Sequence, residues 1–407
     1  MEDPRVEHWA ASGAMALTGL PDLPCGPPEG LVDGALALAR PFPGLDPLAL
    51  LGERAALMGL WRRGTTSCGG SCHLLPSSDS WVAVSLPRDE DMELVPAWLE
   101  LPRPPPTPPA TWETIERALA GRDATGLLAR ARLLGLPVAA VGEAAGTPAV
   151  VSTSFGNAPA RPVAGLRVTD LSALWAGPLC GDLLAQSGAD VVKVESPSRP
   201  DGARRGPTAF FDLLNGRKRS VALDLRTEEG RGQLHRLLRW SDVVIEASRP
   251  RALTQMGIDA TGLLAAGGPQ IWISITGFGR ARGAEWDSRV AFGDDAAAAG
   301  GLVVWREDPG GGARQRSPLF CADAVADPLT GLAAAGACVE QLARGGRWLL
   351  DVSMAGVCAG LGGPTLPAPP EVIVADPRAR LPATQAPALG ADTDAVLAEV
   401  SRLERRR

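Results

Sequence analysis

Between residues 163 and 195 the hydrophobic period of the chain changes twice. Apolar and polar positions alternate from Gly165 to Leu171, as in a short strand. Ala176-Gly177-Pro178 then opens a helix, because proline pre-sets φ and has no donor to lose in a first turn. Leu179, Leu183 and Leu184 recur at helical spacing, Ser187-Gly188 stops the helix, and Ala189–Glu195 is a second, β-branched strand. Two strands joined through a helix imply a parallel, right-handed βαβ crossover. Ligands of such sheets gather at the carboxyl ends of the strands, which puts Leu174–Pro178 and Glu195–Pro197 near a ligand. Downstream, strands are predicted at 221–225, 242–246, 271–275 and 348–353. Helices are predicted from Arg226 to about Trp240, with Thr227 as N-cap, at 326–345 and near 392–404. Residues 277–283 and 309–313 are Gly-rich loops. The alternation predicts an α/β fold: a doubly wound, mostly parallel, Rossmann-like sheet.

The first part of the chain patterns differently. Helical signal at Leu31–Leu38 and Pro47–Leu60 is broken by Pro-rich turns. A glycine loop at 64–75 runs into a strand, and Trp81–Leu86 completes a hairpin. Helices follow at 92–100, 111–120 and 124–134, then a strand at 136–141. The proline run 102–110 reads as an extended linker, and the small, polar stretch 144–162 as a domain boundary. The expectation is a smaller α+β domain over 1–150. A Rossmann-like domain follows over 151–407, with a tail from 361 whose Pro-rich part, to 385, wraps the surface.

Composition is that of an ordinary globular protein, 45% apolar and 21% charged over 407 residues. A net charge of −6 argues against nucleic acid as a partner. No apolar run reaches the roughly 18 residues of a membrane span, and the first 30 residues lack the order of a signal peptide. Seven scattered cysteines, an odd number, read as reduced thiols of a cytoplasmic protein. Cys68-x-x-x-Cys72-His73 lacks the further ligand a zinc site needs, so no metal is expected. Neither G-x-G-x-x-G after the first strand nor G-x-S-x-G is present, which weighs against a nicotinamide dehydrogenase and an α/β-hydrolase.

Six segments, in order, resemble the class III CoA-transferases, the family of carnitine and bile-acid CoA-transferases and formyl-CoA transferase. They are 165–197, 213–231, 241–259, ISITGFG (273–279), SRVAFGDDAAAAGGL (288–302) and ADPLTGLAAA (326–335). Residues 386–400 resemble the family's C-terminal tail, and 64–141 its small domain, here moved to the N-terminus. The resemblance implies an enzyme that passes CoA from an acyl-CoA to a carboxylic acid acceptor, without a tightly bound cofactor, as a homodimer. It makes Asp327 the nucleophile, which would carry an aspartyl-CoA thioester. Read on its own, Asp327 followed by Pro328 is an ordinary helix start, and Asp323 is the alternative carboxylate. The resemblance makes Gly69 and Gly70 the loop whose backbone N–H groups meet the oxyanion. CoA-binding positions are Trp175, Ala176, Leu223, Asp224, Leu225, Arg226, Ala247, Ser248, Arg249 and Arg289, with Arg217-Lys218-Arg219 a basic cluster for phosphate. Ser196 and Gln255 stand where many members carry a cation. Phe292 stands where racemase-type relatives carry a histidine base, which disfavours chemistry at the α-carbon. The alternatives are an acyl-CoA racemase or isomerase, and a CoA-binding homologue without catalysis.

Overall fold

A computed structural model describes residues 3–404, except 106, 249, 281–282, 284–285, 287–288 and 308–315. The N-terminal segment carries helices α1 (Pro4–Ala11), α2 (Leu31–Leu38) and α3 (Glu53–Met58), so the signal at Pro47–Leu60 is split between α3 and a single turn at Pro47–Leu50. A three-stranded antiparallel sheet follows, β1 (Cys72–Pro76), β2 (Trp81–Ser85) and β3 (Val138–Ala140). It is backed by α4 (Asp89–Leu99), α5 (Pro108–Ala120) and α6 (Ala124–Leu134). Two of these helices begin earlier than the pattern predicts. In α4, three acids fill the first turn, where the helix dipole favours them. In α5, Pro108 and Pro109 occupy positions that need no N–H donor, so the 102–110 run ends inside a helix rather than as a linker throughout.

Residues 144–162 are not only a boundary. They contain β4 (Val150–Gly156), an edge strand paired antiparallel with β10 (Arg347–Ser353). Half its side chains face solvent, so the strand has no apolar alternation to read. Between them in the chain lie β5 (Arg167–Asp170), β6 (Asp190–Glu195), β7 (Arg219–Ala222), β8 (Val243–Glu246) and β9 (Ile271–Thr276). The sheet order is β4-β10-β9-β8-β5-β6-β7, parallel except for β4. Strand order reverses between β5 and β8, which places a crevice at their carboxyl ends. β7 lies two residues earlier than predicted, so Leu223–Leu225 form the turn beyond it.

Helices cover both faces of this sheet. On one face α7 (Ala176–Gln186) and α10 (Ala326–Arg344) bury Leu179, Leu183, Leu329 and Leu332 against Val168, Ile245 and Ile273. On the other α8 (Glu228–Trp240) and α12 (Thr393–Glu404) bury Leu234, Leu237, Val396 and Val400 against Val192, Val244 and Trp272. Trp9, Met15, Leu31 and Leu51 join the first of these cores, so it draws on residues from both sides of position 150. Val82, Trp98, Ile115 and Leu128 close a separate core around the small sheet.

α9 (Gly293–Ala299) and α11 (Met354–Ala359) pack between the two sheets. From Leu361 to Asp392 the chain has no helix or strand and crosses the body as a strap, tied by Leu366 N–H to Pro27 O and Ala375 N–H to Ala10 O. Of the predicted glycine loops, 309–313 lies outside the described residues. Among the described residues no helix is long and apolar enough to cross a membrane.

Candidate active site

Asp327 is the second residue of α10. The loop before it carries two alanines in the left-handed region, Ala322 (φ 56°) and Ala324 (φ 44°), and the loop before α7 carries Leu174 (φ 69°). Such backbone costs about 1–3 kcal/mol at a non-glycine residue and needs its surroundings to hold it. Each of the three is held through its N–H group. Ala322 donates to Thr18 Oγ1 (3.0 Å), Ala324 to Asp294 Oδ1 (3.1 Å) and Leu174 to Asp201 Oδ1 (3.0 Å). Glu100, the one other such non-glycine residue described, ends helix α4. Strain is therefore concentrated around the N-termini of α7 and α10.

Three carboxylates surround one guanidinium there. Arg54, on α3, grips buried Asp323 with two hydrogen bonds, Nε to Oδ2 (2.8 Å) and Nη2 to Oδ1 (2.6 Å). Burial opposes the charge of Arg54, but Asp323, Asp294 and Asp327 together raise its pKa. Asp327 is half-buried as a residue, yet its carboxyl is enclosed, and this enclosure pushes its pKa up to about 7. Arg54 and the backbone N–H of Ala176 pull the other way, while Asp294 and Asp323 add to the rise. Asp294, buried on α9, is raised to about 6 by burial and by Asp323. Gly293 lies directly against the Asp327 carboxylate, where a side chain would collide with it. Buried Trp175 closes one side, its ring 5.6 Å from the Arg54 guanidinium and edge-on to Phe210 at 5.2 Å.

The glycine loop reaches this cluster. Gly69 is exposed, and Arg54 Nη2 would stand 3.4 Å from a Cβ placed on it. Gly70 needs its glycine for its φ of +82°. Asp327, Gly69, Trp175 and Ala176 therefore converge. Leu223, Asp224, Leu225 and Arg226 follow β7, and Ala247 and Ser248 follow β8, all at the carboxyl edge of the sheet. Leu223 is buried in the core, and Arg226 is exposed and paired with Asp224 (2.9 Å). The ends of β8 and β7 are three strand spacings apart, roughly 14 Å, room for an extended ligand. Arg249 lies outside the described residues.

Other candidates are occupied elsewhere. Arg289 is buried over the Phe278 ring (3.7 Å) and bound to Glu143 (2.5 Å) and Val138 O (3.1 Å), so it ties β3 to the larger body. Arg217-Lys218-Arg219 is not a phosphate patch. Lys218 is buried on Asp170 (2.8 Å), Arg217 binds Asp182 and Arg219 binds Asp190 and Glu399. Asp323 is the anchor of Arg54, not a free carboxylate. His73 stacks on Trp112 at 3.8 Å and Cys68 turns its thiol to the carbonyls of Leu17 and Ala322, so the Cys-Cys-His stretch does not converge. Ser196 pairs with Ser198 (3.0 Å). A cavity of about 380 Å³, lined by Arg204, Phe211, Asp212 and Ala386 among others, opens beside the end of β6 rather than at Asp327.

Sequence reasoning missed Arg54. Nothing in GERAALMG distinguishes a cation paired inside the fold from a solvated one. The adjacent Glu53 is buried, held by Arg380 of the strap at 2.6 Å, so α3 is pinned on both sides by ion pairs that only the fold brings together.

A mostly parallel sheet of Rossmann order, with an enclosed aspartate at a helix N-terminus beside its crevice, defines a doubly wound α/β protein. More particularly, the family model for CoA-transferase family III matches residues 163–391, more than half of the chain, and the chain belongs to that family. It is 35% identical over 199 residues to the succinyl-CoA–D-citramalate CoA-transferase of Chloroflexus aurantiacus, covering 46% of this chain and 48% of that protein. It is 39% identical over 132 residues to the succinate–glutarate CoA-transferase of Agrobacterium fabrum, covering 29% and 33%. A formyl-CoA:oxalate CoA-transferase of Escherichia coli is 32% identical over 178 residues, covering 42% and 41%. The matches thus span about half or less of the length of these relatives. A crystal structure of Rv3272 from Mycobacterium tuberculosis superposes with a TM-score of 0.43 at 31% identity, covering 50% of this chain and 56% of that one.

Proposed function

We propose that the protein transfers CoA from an acyl-CoA thioester to a carboxylic acid, with Asp327 as the nucleophile. The supporting observation is the Asp327 carboxylate itself, enclosed at the start of α10, with the Ala176 N–H on it and the glycine loop nearby. Asp327 attacks the thioester carbonyl and expels CoA thiolate, leaving a mixed anhydride. The thiolate attacks the aspartyl carbonyl, releases the donor acid and leaves an aspartyl-CoA thioester. The acceptor carboxylate attacks that thioester and expels the thiolate again, and the thiolate then attacks the new acyl carbonyl and frees Asp327. Each step separates a leaving group from an activated acyl centre, which is the advantage of covalent catalysis. A pKa near 7 keeps an ionised fraction available at neutral pH, and the N-terminal dipole of α10 favours the charged form. Exposed Gly69 is suited to present its N–H to the tetrahedral oxyanion, whereas half-buried Gly70 donates its N–H to Ser67 O (2.9 Å) and shapes the turn instead.

On this reading CoA lies along the carboxyl edge from Trp175 and Ala176 toward Ala247 and Ser248 and toward Leu223–Arg226. No tightly bound cofactor is needed, and the protein acts as a cytoplasmic homodimer. Residues 64–141 serve as the family's small domain in a rearranged position. Two of the named relatives carry succinyl-CoA or succinate in their names, so succinyl-CoA is the first donor to test. The racemase alternative needs a second base; Phe292 has no group that exchanges a proton, and Asp294, the carboxyl that could substitute, is buried and accepts from the Ala324 N–H (3.1 Å). The test is incubation with succinyl-CoA, hydroxylamine trapping and peptide mass mapping. An aspartyl hydroxamate at Asp327, lost in Asp327→Asn, is expected. A hydroxamate elsewhere, or none with any acyl-CoA that binds, would refute the assignment.

A further inference from the structure

We propose that Arg54, which precedes the family-matched span, is a positioning residue for Asp327: clamped on Asp323, it fixes the cation that keeps the nucleophile ionised and aimed. The inference rests on the transferase reading above. Its geometry is independent of that reading. A guanidinium bound by two hydrogen bonds cannot swing, so its remaining face is set by Asp323. Beyond Asp323 that guanidinium lies 5.6 Å from the ring of Trp175, the residue before the Ala176 N–H that binds Asp327, and would stand 3.4 Å from a Cβ on Gly69. Asp323, four residues before Asp327, reaches it through the strained Ala322–Ala324 turn, so the clamp and the nucleophile share one rigid segment.

The charged and titratable groups facing Asp327 are Arg54 from α3, Asp294 from α9, Asp323 from its own loop and Cys358 from α11. Arg54 is the one cation among these four. Of the charges acting on Asp327, that of Arg54 is the largest, ahead of Asp294 and Asp323. Without it three carboxylates would face one another in an enclosed space, and protonation would relieve the repulsion.

The experiment measures the rate of Asp327 hydroxamate formation from succinyl-CoA between pH 5.5 and 9.5, in the full-length protein. In Arg54→Met the midpoint should rise by about one pH unit or more, giving roughly fivefold slower labelling at pH 7 with recovery at high pH. Arg54→Lys keeps the charge but not the clamp, so its midpoint should stay near that of the wild type while its plateau falls. Because Arg54→Met leaves Asp323 buried and unpaired, the Arg54→Met/Asp323→Asn double variant guards against misfolding and should still show an upward, smaller shift. Wild-type midpoint and plateau in Arg54→Met or in the double variant would overturn the role of Arg54 alone. Failure of the wild-type protein to label at any pH would instead overturn the transferase reading, and this inference with it.

Discussion

Replacing Gly293 by alanine tests the packing of the site with one methyl group. Gly293 opens α9 and is not in the left-handed region, so backbone preference does not require glycine there. Space does. A Cβ would meet the Asp327 carboxylate and the Ala324 carbonyl, both inside contact distance, and the Ala324 Cβ at 2.7 Å. Ordinary carbon contacts lie near 3.5–4.0 Å, so the neighbours must retreat by about 1 Å. Ala324 is held by its N–H bond to Asp294 and by a left-handed turn, whereas the Asp327 side chain can rotate. The fold should therefore lose about 1–3 kcal/mol, the usual cost of overpacking. Most of the strain should be relieved by displacing the carboxylate, and a misplacement of about 1 Å at a reacting group costs on the order of 100-fold in rate. The control is Gly232→Ala in the middle of α8, where a Cβ meets nothing within 4 Å. That change should stabilise the protein by about 0.5–1 kcal/mol and leave labelling unchanged. Urea unfolding and the hydroxamate rate measure both effects. If Gly293→Ala labels at the wild-type rate while Gly232→Ala behaves as expected, Asp327 is not the confined group that reacts.

The raised pKa values carry a sign for stability. Asp327 at about 7 and Asp294 at about 6 bind protons more tightly folded than unfolded, where aspartate titrates near 3.8. Their contribution is fully present below 3.8 and is lost as pH rises toward 7. The melting temperature should therefore fall between pH 5 and 7.5, and Asp294→Asn should flatten that slope; a wild-type slope in the variant would refute the assignment. Lys218→Met strands buried Asp170 and should cost about 3–5 kcal/mol in urea unfolding, most of it recovered in Lys218→Met/Asp170→Asn. Arg289→Ala should lower stability but leave the CoA dissociation constant within about twofold by calorimetry, because its guanidinium is spent on Phe278 and Glu143. A weakened CoA affinity with unchanged stability would return Arg289 to the binding edge.

Most of the sheet was legible because its strands are buried on both faces and read as β-branched runs such as Asp190–Glu195. The helices α7 and the start of α10 are buried nearly all round, and they were legible from their leucine spacing and their proline-containing first turns. Where burial is one-sided or the signal is carried by backbone bonds, the pattern fails. Thus β4 is an exposed edge strand, and α5 starts on two prolines that look like linker. The candidate site was legible where it coincides with helix starts, at Ala176 and Asp327, and at the glycine loop, through Gly69. Charges were the least legible. Lys218 and Arg289 look like solvated cations in sequence and are buried on acids, while Arg54 has no local signature at all.

That difference follows from how the pieces meet. The candidate site joins residues 54, 69, 174–176, 293–294 and 323–327, so the side-chain contacts that assemble it, Arg54 with Asp323 and Asp294 with Ala324, span long stretches of chain. Local patterning encodes the elements that carry these residues, not the pairing between them. The pairing is also indifferent to the order of the pieces, because loop closure changes by only about 0.6 kcal/mol for each doubling of length. A glycine loop that precedes the sheet can therefore reach the same helix N-terminus as one that follows it. What it cannot do without is a rigid seat, and here that seat is half-buried Arg54 paired with buried Asp323 beside Gly69.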